Sequence, residues 1–255
     1  DADDALDIVR AAETAGTQFY TSYMKRFIPA VEKARELLPS LGRIVSTSIR
    51  AYQHWGNLWE ANPENGFLSK PADGPSTCVR NYGGGILVCG GSHILDLVCF
   101  LLGRPHRLYA TMHIPADRDY DLQAAALLET PNGICHFEAL AHPLKHIGFL
   151  NDGWDERLEI NGLKGRLEVF SSAWDHVEDK ASKLVHYDNA SGQAVEYRYA
   201  PESPFDRAIA FFIGNIKRGI QGEQRRTTGY DVDELIGHIK HSATTRTAVN
   251  VAYRI

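Results

Sequence analysis

Between residues 122 and 199 short apolar runs alternate with turn chemistry, and this spacing restricts the fold more than any other feature. Residues 122–128 and 134–141 flank Pro131, Asn132 and Gly133, and residues 157–160 and 166–170 flank Asn161-Gly162 and Lys164-Gly165. Residues 183–187 and 194–199 flank a third turn that ends on Gly192. Asn and Gly supply the positive φ that tight hairpin turns demand. Three hairpins in succession predict an antiparallel sheet. In the second, Leu158 and Ile160 alternate with Arg157 and Glu159, so one face is polar. Residues 122–128 are apolar on both faces, which predicts a strand in the middle of the sheet.

Helical periodicity surrounds this block. Residues 1–15 put Ala5, Leu6, Val9 and Ala12 on one face, and Gly16 closes the helix. Residues 18–23, rich in aromatics, read as a strand. A helix followed by a strand looks like the last unit of a doubly wound α/β domain, yet no further alternation supplies the neighbours such a strand needs. Residues 1–26 are therefore expected to be the remnant of a truncated Rossmann domain, and residues 27–255 a separate α+β domain. Further helices are predicted at 29–38, 89–102, 203–219 (capped by Ser203) and 230–245, and further strands at 43–52 and 248–253. Residues 53–80 read as one long irregular connection. The expected fold is α+β, an open-faced and mainly antiparallel sheet flanked by helices.

Composition removes several classes of function. A net charge of -5 gives no basic field for nucleic acid. No apolar run approaches the roughly 18 residues of a membrane span. Cys78, Cys89, Cys99 and Cys135 form no CxxC pair, which fits reduced thiols and a cytoplasmic location. His142 and His146 have a spacing that suits a metal only on a helix, and Pro143 between them argues against one, so no metal site is expected.

The segment with most chemistry is Gly83-Gly84-Gly85 followed by Cys89, His93 and Asp96. Glycines allow a backbone to approach a ligand closely, and a helix N-terminus adds positive potential. That potential favours neutral imidazole, the form a general base needs near pH 7. Cys89 shares the face of His93 if the helix already includes it. Asp96, one turn later, could orient the imidazole or satisfy buried backbone groups.

The run from Gly83 to Asp96 resembles the GGGxLxDxGxHxxD signature of the Gfo/Idh/MocA oxidoreductases. Residues 11–27, Leu41-Gly42-Arg43-Ile44, the hairpin at 157–169, the FFIGNIKRG run and the helix at 230–242 are similar to that family in the expected order. The resemblance implies a Rossmann domain holding NAD or NADP and a sheet domain that binds a sugar or polyol and builds oligomers. It implies oxidation of a secondary hydroxyl, with His93 taking the proton. The Asp expected four residues earlier is Cys89, which leaves a neutral thiol to shape the pocket. Arg26 and Lys25 are implied at the domain junction near substrate, Arg80 on the substrate side, and Tyr23 at the cofactor. Asp152 and Trp154 could offer a polar group and a stacking ring to a sugar, or Trp154 could fill a core gap. An uncovered sheet face predicts a homodimer or homotetramer. The alternatives are a redox-neutral NAD-using glycosidase or lyase, and a non-catalytic sugar-binding or dimerisation module.

Overall fold

The structure is a computed structural model that describes residues 1–59, 84–116, 118–173 and 179–255. Nine strands form one sheet: β1 (Ile44–His54), β2 (Arg107–His113), β3 (Gln123–Thr130), β4 (Gly133–His142), β5 (Trp154–Gly162), β6 (Gly165–Ser171), β7 (Lys183–Asp188), β8 (Gln193–Arg198) and β9 (Val249–Asn250). Their order is β8-β7-β6-β5-β1-β4-β3-β2-β9. Every pairing is antiparallel except β1 with β4, where Ala51 faces Ala139 in a parallel ladder. The three hairpins form as their turn residues require. β2 has no counterpart among the expected strands, because its alternation of Leu108 and Ala110 with Arg107, Tyr109 and Thr111 is short and its flanks lack hairpin chemistry.

Period-2 burial gives the sheet one covered face. Ile49, Ala51, Leu108, Ala124, Phe137, Ala139, Leu158, Ile160 and Val169 lie in a single core. Helices α2 (Pro29–Leu37), α3 (Ser92–Leu102) and α5 (Thr228–Thr245) lie on that side. Among the described residues the opposite face has no such cover. β3 is an interior strand, but it lies third from the β9 edge, and Leu127 on its second apolar row is 40% exposed rather than buried. Two apolar rows therefore do not make it the central strand, a place taken by β1.

Helix α1 (Ala2–Thr14) is capped by Asp1, whose carboxylate accepts from the amides of Asp3 and Asp4. It buries Leu6 and Val9 against Tyr230 of α5, a cluster apart from the main core. The strand expected at 18–23 is absent, because no strand lies beside it to complete a ladder. Glutamine side chains take that place: Gln221 bonds both the amide and the carbonyl of Phe19, and Gln224 donates to the carbonyl of Thr21. Helix α4 (Pro204–Arg218), capped by Ser203, packs through Phe211 and Phe212 on Tyr20 and Phe27. Its other apolar positions, Ile209, Ile213 and Ile216, are exposed. The closing strand is two residues long, Val249 pairing with Leu108, rather than the six residues expected.

Candidate active site

The helix that carries His93 does not begin as a regular α-helix. Residues Leu87–Gly91 form a π turn that runs into α3, so Cys89 lies in the wider turn and not on a regular helical face with His93. Asp121, 3% exposed and preceding β3, holds the start of this turn. Its carboxylate accepts from the Leu87 amide at 2.8 Å and its carbonyl from the Ile86 amide at 3.0 Å. Gly85 and Gly90 serve this docking, and Gly83 lies outside the described residues. A Cβ on Gly85 would stand 1.9 Å from the Asp121 carbonyl oxygen, and one on Gly90 would stand 2.6 Å from Nε2 of Gln53.

His93 is half-buried, and its ring meets the edge of Tyr23 with centroids 5.3 Å apart. Burial, reinforced by the positive charge of Lys25, lowers its pKa to about 3, so the imidazole is neutral at physiological pH. Its Nδ1 is buried without a hydrogen-bond partner. Among the described residues, therefore, no carboxylate holds this imidazole at Nδ1. Cys89 is a free thiol whose pKa is pushed up by burial and then by Asp121, which keeps it protonated.

Asp96 does not orient the imidazole. It is fully buried, and Arg26 grips both its oxygens, with Nε at 2.7 Å from Oδ2 and Nη2 at 2.5 Å from Oδ1. Burial pushes its pKa up to about 6 against the pull of that guanidinium. Arg26 also stacks on Phe100, 4.7 Å from the ring centroid. The pair ties the segment before α2 to α3, so the Arg26 expected beside substrate is committed to structure. Tyr23, expected at the cofactor, is 9% exposed and packs on His93, with its phenol hydrogen-bonded to Ser92.

Lys25 differs from its neighbour. It is 4% exposed and paired with Glu156 of β5, which is 2% exposed. Gln53 at the end of β1 donates to the second oxygen of Glu156 at 2.9 Å and accepts from Nε1 of Trp55 at 3.0 Å. Lys25 also lies over the ring of Trp154, 5.7 Å from its centroid. The indole Nε1 of Trp154 is buried without a partner. Asp152 is engaged by the Trp154 amide at 3.2 Å and by Lys180 at 2.6 Å, so it sets the loop that presents the indole. Sequence reasoning brought Lys25 and Trp154 forward separately, and the structure brings them together, as it does Tyr23 and His93. It missed Asp121, Gln53 and Glu156, whose only signal is a polar residue at an inward position of a strand or at its edge.

Arg80 and Cys78 lie outside the described residues. His142 and His146 do not converge. His142 ends β4 with Nδ1 accepting from the Leu144 amide, while His146 is exposed in the following loop.

Residues 31–168 match the model of the GFO/IDH/MocA C-terminal domain. The chain belongs to this family. Among its relatives, D-xylose 1-dehydrogenase (NADP(+)) 2 of Haloferax volcanii is 23% identical over 254 residues, covering 98% of this chain and 70% of that protein. An oxidoreductase domain protein from Kribbella flavida has a similar fold, with TM-score 0.78, 19% identity, and coverage of 99% of this chain and 71% of that one. Levoglucosan dehydrogenase in complex with NADH and levoglucosan gives TM-score 0.76 at 16% identity, over 99% of this chain and 71% of that one. In this member of the GFO/IDH/MocA family, His93 stands in the first turn of α3, directly after the π turn that holds the free thiol of Cys89.

Proposed function

We propose that this chain carries the substrate-side half of a NAD(P)-linked oxidation of a secondary hydroxyl on a sugar or cyclitol, with His93 accepting the hydroxyl proton. The observation that carries this reading is a neutral, partly accessible imidazole at the start of a helix entered through an anchored turn, with no carboxylate at Nδ1 among the described residues. The printed activities of two relatives, a D-xylose 1-dehydrogenase and a levoglucosan dehydrogenase, support an oxidoreductase acting on sugars. The thiol of Cys89 stays neutral and shapes the pocket. Trp154 lends a ring face to the sugar, and Asp152 sets the loop that carries it. A base of such low proton affinity takes the proton only as the hydroxyl becomes acidic in the transition state.

The described residues do not fit a dinucleotide. Gly85 and Gly90 are filled by the protein itself, and no strand of the sheet leads through a glycine loop into a helix N-terminus. The part these residues take in the reaction is confined to the proton. Bound NAD or NADP would supply the hydride acceptor. We propose that residues 1–26 close the Rossmann domain that holds it, since α1 packs with Phe19 and Tyr230 in a small cluster apart from the main core. We also propose that a second copy covers the open sheet face.

The test is a panel of sugars and cyclitols with NAD or NADP and the intact protein. Sugar-dependent reduction of the nicotinamide is expected, and His93→Gln should lower kcat by about 10²–10⁴-fold. Product formed with no net reduction would replace this reading by the redox-neutral one. Ligand binding without turnover, unchanged in His93→Gln, would make the chain a non-catalytic module.

A further inference from the structure

We infer that Tyr23 is the positioning residue of His93: its ring holds the imidazole by perpendicular packing, and the Arg26–Asp96 pair one turn further on keeps the two rings in register. This rests on reading His93 as the proton acceptor. A general base works only when its nitrogen points at the hydroxyl within hydrogen-bond reach. An imidazole is commonly aimed by a bond at its other nitrogen, but among the described residues Nδ1 of His93 is buried with no partner. Packing is then what fixes the torsion of the ring, and Tyr23 is the aromatic side chain packed on it.

The contact is direct. The ring centroids lie 5.3 Å apart with the planes at 83°, the separation and angle at which perpendicular rings attract. Tyr23 is 9% exposed, so its ring has little freedom to turn away. Its phenol is hydrogen-bonded to Ser92, the residue before His93, and the Ser92 hydroxyl donates onward to the Cys89 carbonyl at 3.3 Å. Tyr23 thus grips the start of α3 at two successive residues, through its hydroxyl at Ser92 and its ring at His93.

The brace follows from helical spacing. Tyr23 precedes a 3₁₀ turn over Met24–Phe27, in which the Arg26 amide bonds back to the Tyr23 carbonyl at 3.4 Å. Side chains three apart on such a turn eclipse, so Tyr23 and Arg26 leave it on one side. His93 and Asp96 are likewise three apart on α3 and share a face. The two elements therefore meet in two rungs, Tyr23 on His93 and Arg26 on Asp96. The second rung is bidentate with its carboxylate fully buried, and Arg26 also lies on Phe100 of the same helix. Buried ion pairs add little net stability over apolar groups of similar volume, and fixing register is their best-attested use. Asp96 acts here on the helix and not on the imidazole.

The test joins proton NMR of the His93 ring to sugar-oxidation kinetics, both in the intact protein, with His93→Gln identifying the ring signals. Nuclear Overhauser contacts between the Tyr23 and His93 ring protons are expected in the wild type, and their absence overturns the proposal. Tyr23→Leu should remove the ring-current shift of His93 and lower kcat about 10–100-fold at nearly constant KM. Tyr23→Phe keeps the ring and should recover the shift and most of kcat. Arg26→Lys keeps the charge but loses the bidentate fork, so it should shift the His93 signals and lower kcat by less than Tyr23→Leu does. Combined with Tyr23→Leu it should add nothing further, because both act through one ring orientation. Unmoved His93 signals or unchanged kcat in folded Tyr23→Leu overturn the proposal, as do losses that multiply in the double variant. A fall in kcat that only tracks the fraction of folded enzyme does the same. If Tyr23→Leu does not fold, the Overhauser contacts and the His93 signals of Arg26→Lys decide. Absence of any sugar oxidation by the wild type would instead overturn the functional reading, and the NMR measurements would still decide whether Tyr23 orients the ring.

Discussion

His93 links the stability of this fold to pH, and the sign follows from its depressed pKa. The unfolded imidazole takes up a proton near pH 6.5, while the folded one stays neutral down to about 3. The stability that depends on neutral His93 is fully present above pH 6.5 and drains away as the pH falls toward 3. The slope is at most about 1.4 kcal/mol per pH unit. Asp96 acts in the opposite sense. Its folded pKa near 6 lies above the unfolded value of 3.8, so the folded state gains stability as the pH falls from 6 through 3.8. His93→Gln keeps Asp96 and loses the titrating imidazole. Urea unfolding at several pH values should therefore show wild type losing stability relative to His93→Gln below pH 6.5. Parallel curves would mean that His93 is solvated in the fold and titrates normally.

At the scale of elements, the π turn is held by contacts that tolerate no side chain at two glycines. Gly85 faces backbone atoms of Asp121, which cannot move without breaking the start of β3. Gly90 faces a glutamine side chain, but one bonded at both ends and buried. Overpacking of this second kind costs about 1–3 kcal/mol. Gly90→Ala should therefore lower stability by that amount in urea unfolding, and Gly85→Ala should cost more, roughly 4 kcal/mol or beyond. A smaller cost for Gly85→Ala would mean that the Asp121 backbone yields. The same elements show what a sequence reveals. Hairpins were legible because Asn-Gly pairs and alternation act locally, and the helices because periodicity and caps do. His93 was legible through its glycine-rich approach and family signature. The partner of Asp96 was not, since Arg26 lies 70 residues away and only the fold joins them. Glu156 looked like one more charge in an alternating strand, and nothing local marks it as buried. The strand at 18–23 was misread because aromatic content favours a strand, whereas a ladder needs a neighbour.

On the whole molecule, the uncovered sheet face divides into two halves of different chemistry. Across β5 and β6, Arg157, Glu159, Arg166 and Glu168 neutralise one another in a lattice of ion pairs. Across β1, β4, β3 and β2 the face is less charged and forms a shallow hollow of about 340 Å³, lined by Ser48, Tyr52, Tyr109, Leu127, His136 and Glu138 among others. Tyr109, Leu127 and Ile134 are 43%, 40% and 44% exposed there. A face of this composition suits its own two-fold copy, because aromatic and aliphatic groups meet their like while the ion-pair lattice forms a polar rim. We therefore expect sedimentation at micromolar concentration to give a dimer or a tetramer. Leu127→Lys with Tyr109→Lys should shift it toward monomer, because desolvating two added ammonium groups opposes burial of the face. Neither residue belongs to the core, so the thermal unfolding of the monomeric variant should report only the loss of the interface. A wild type that sediments as a monomer would leave this face to a different partner, and would separate assembly from the site around His93 on the covered side of the sheet.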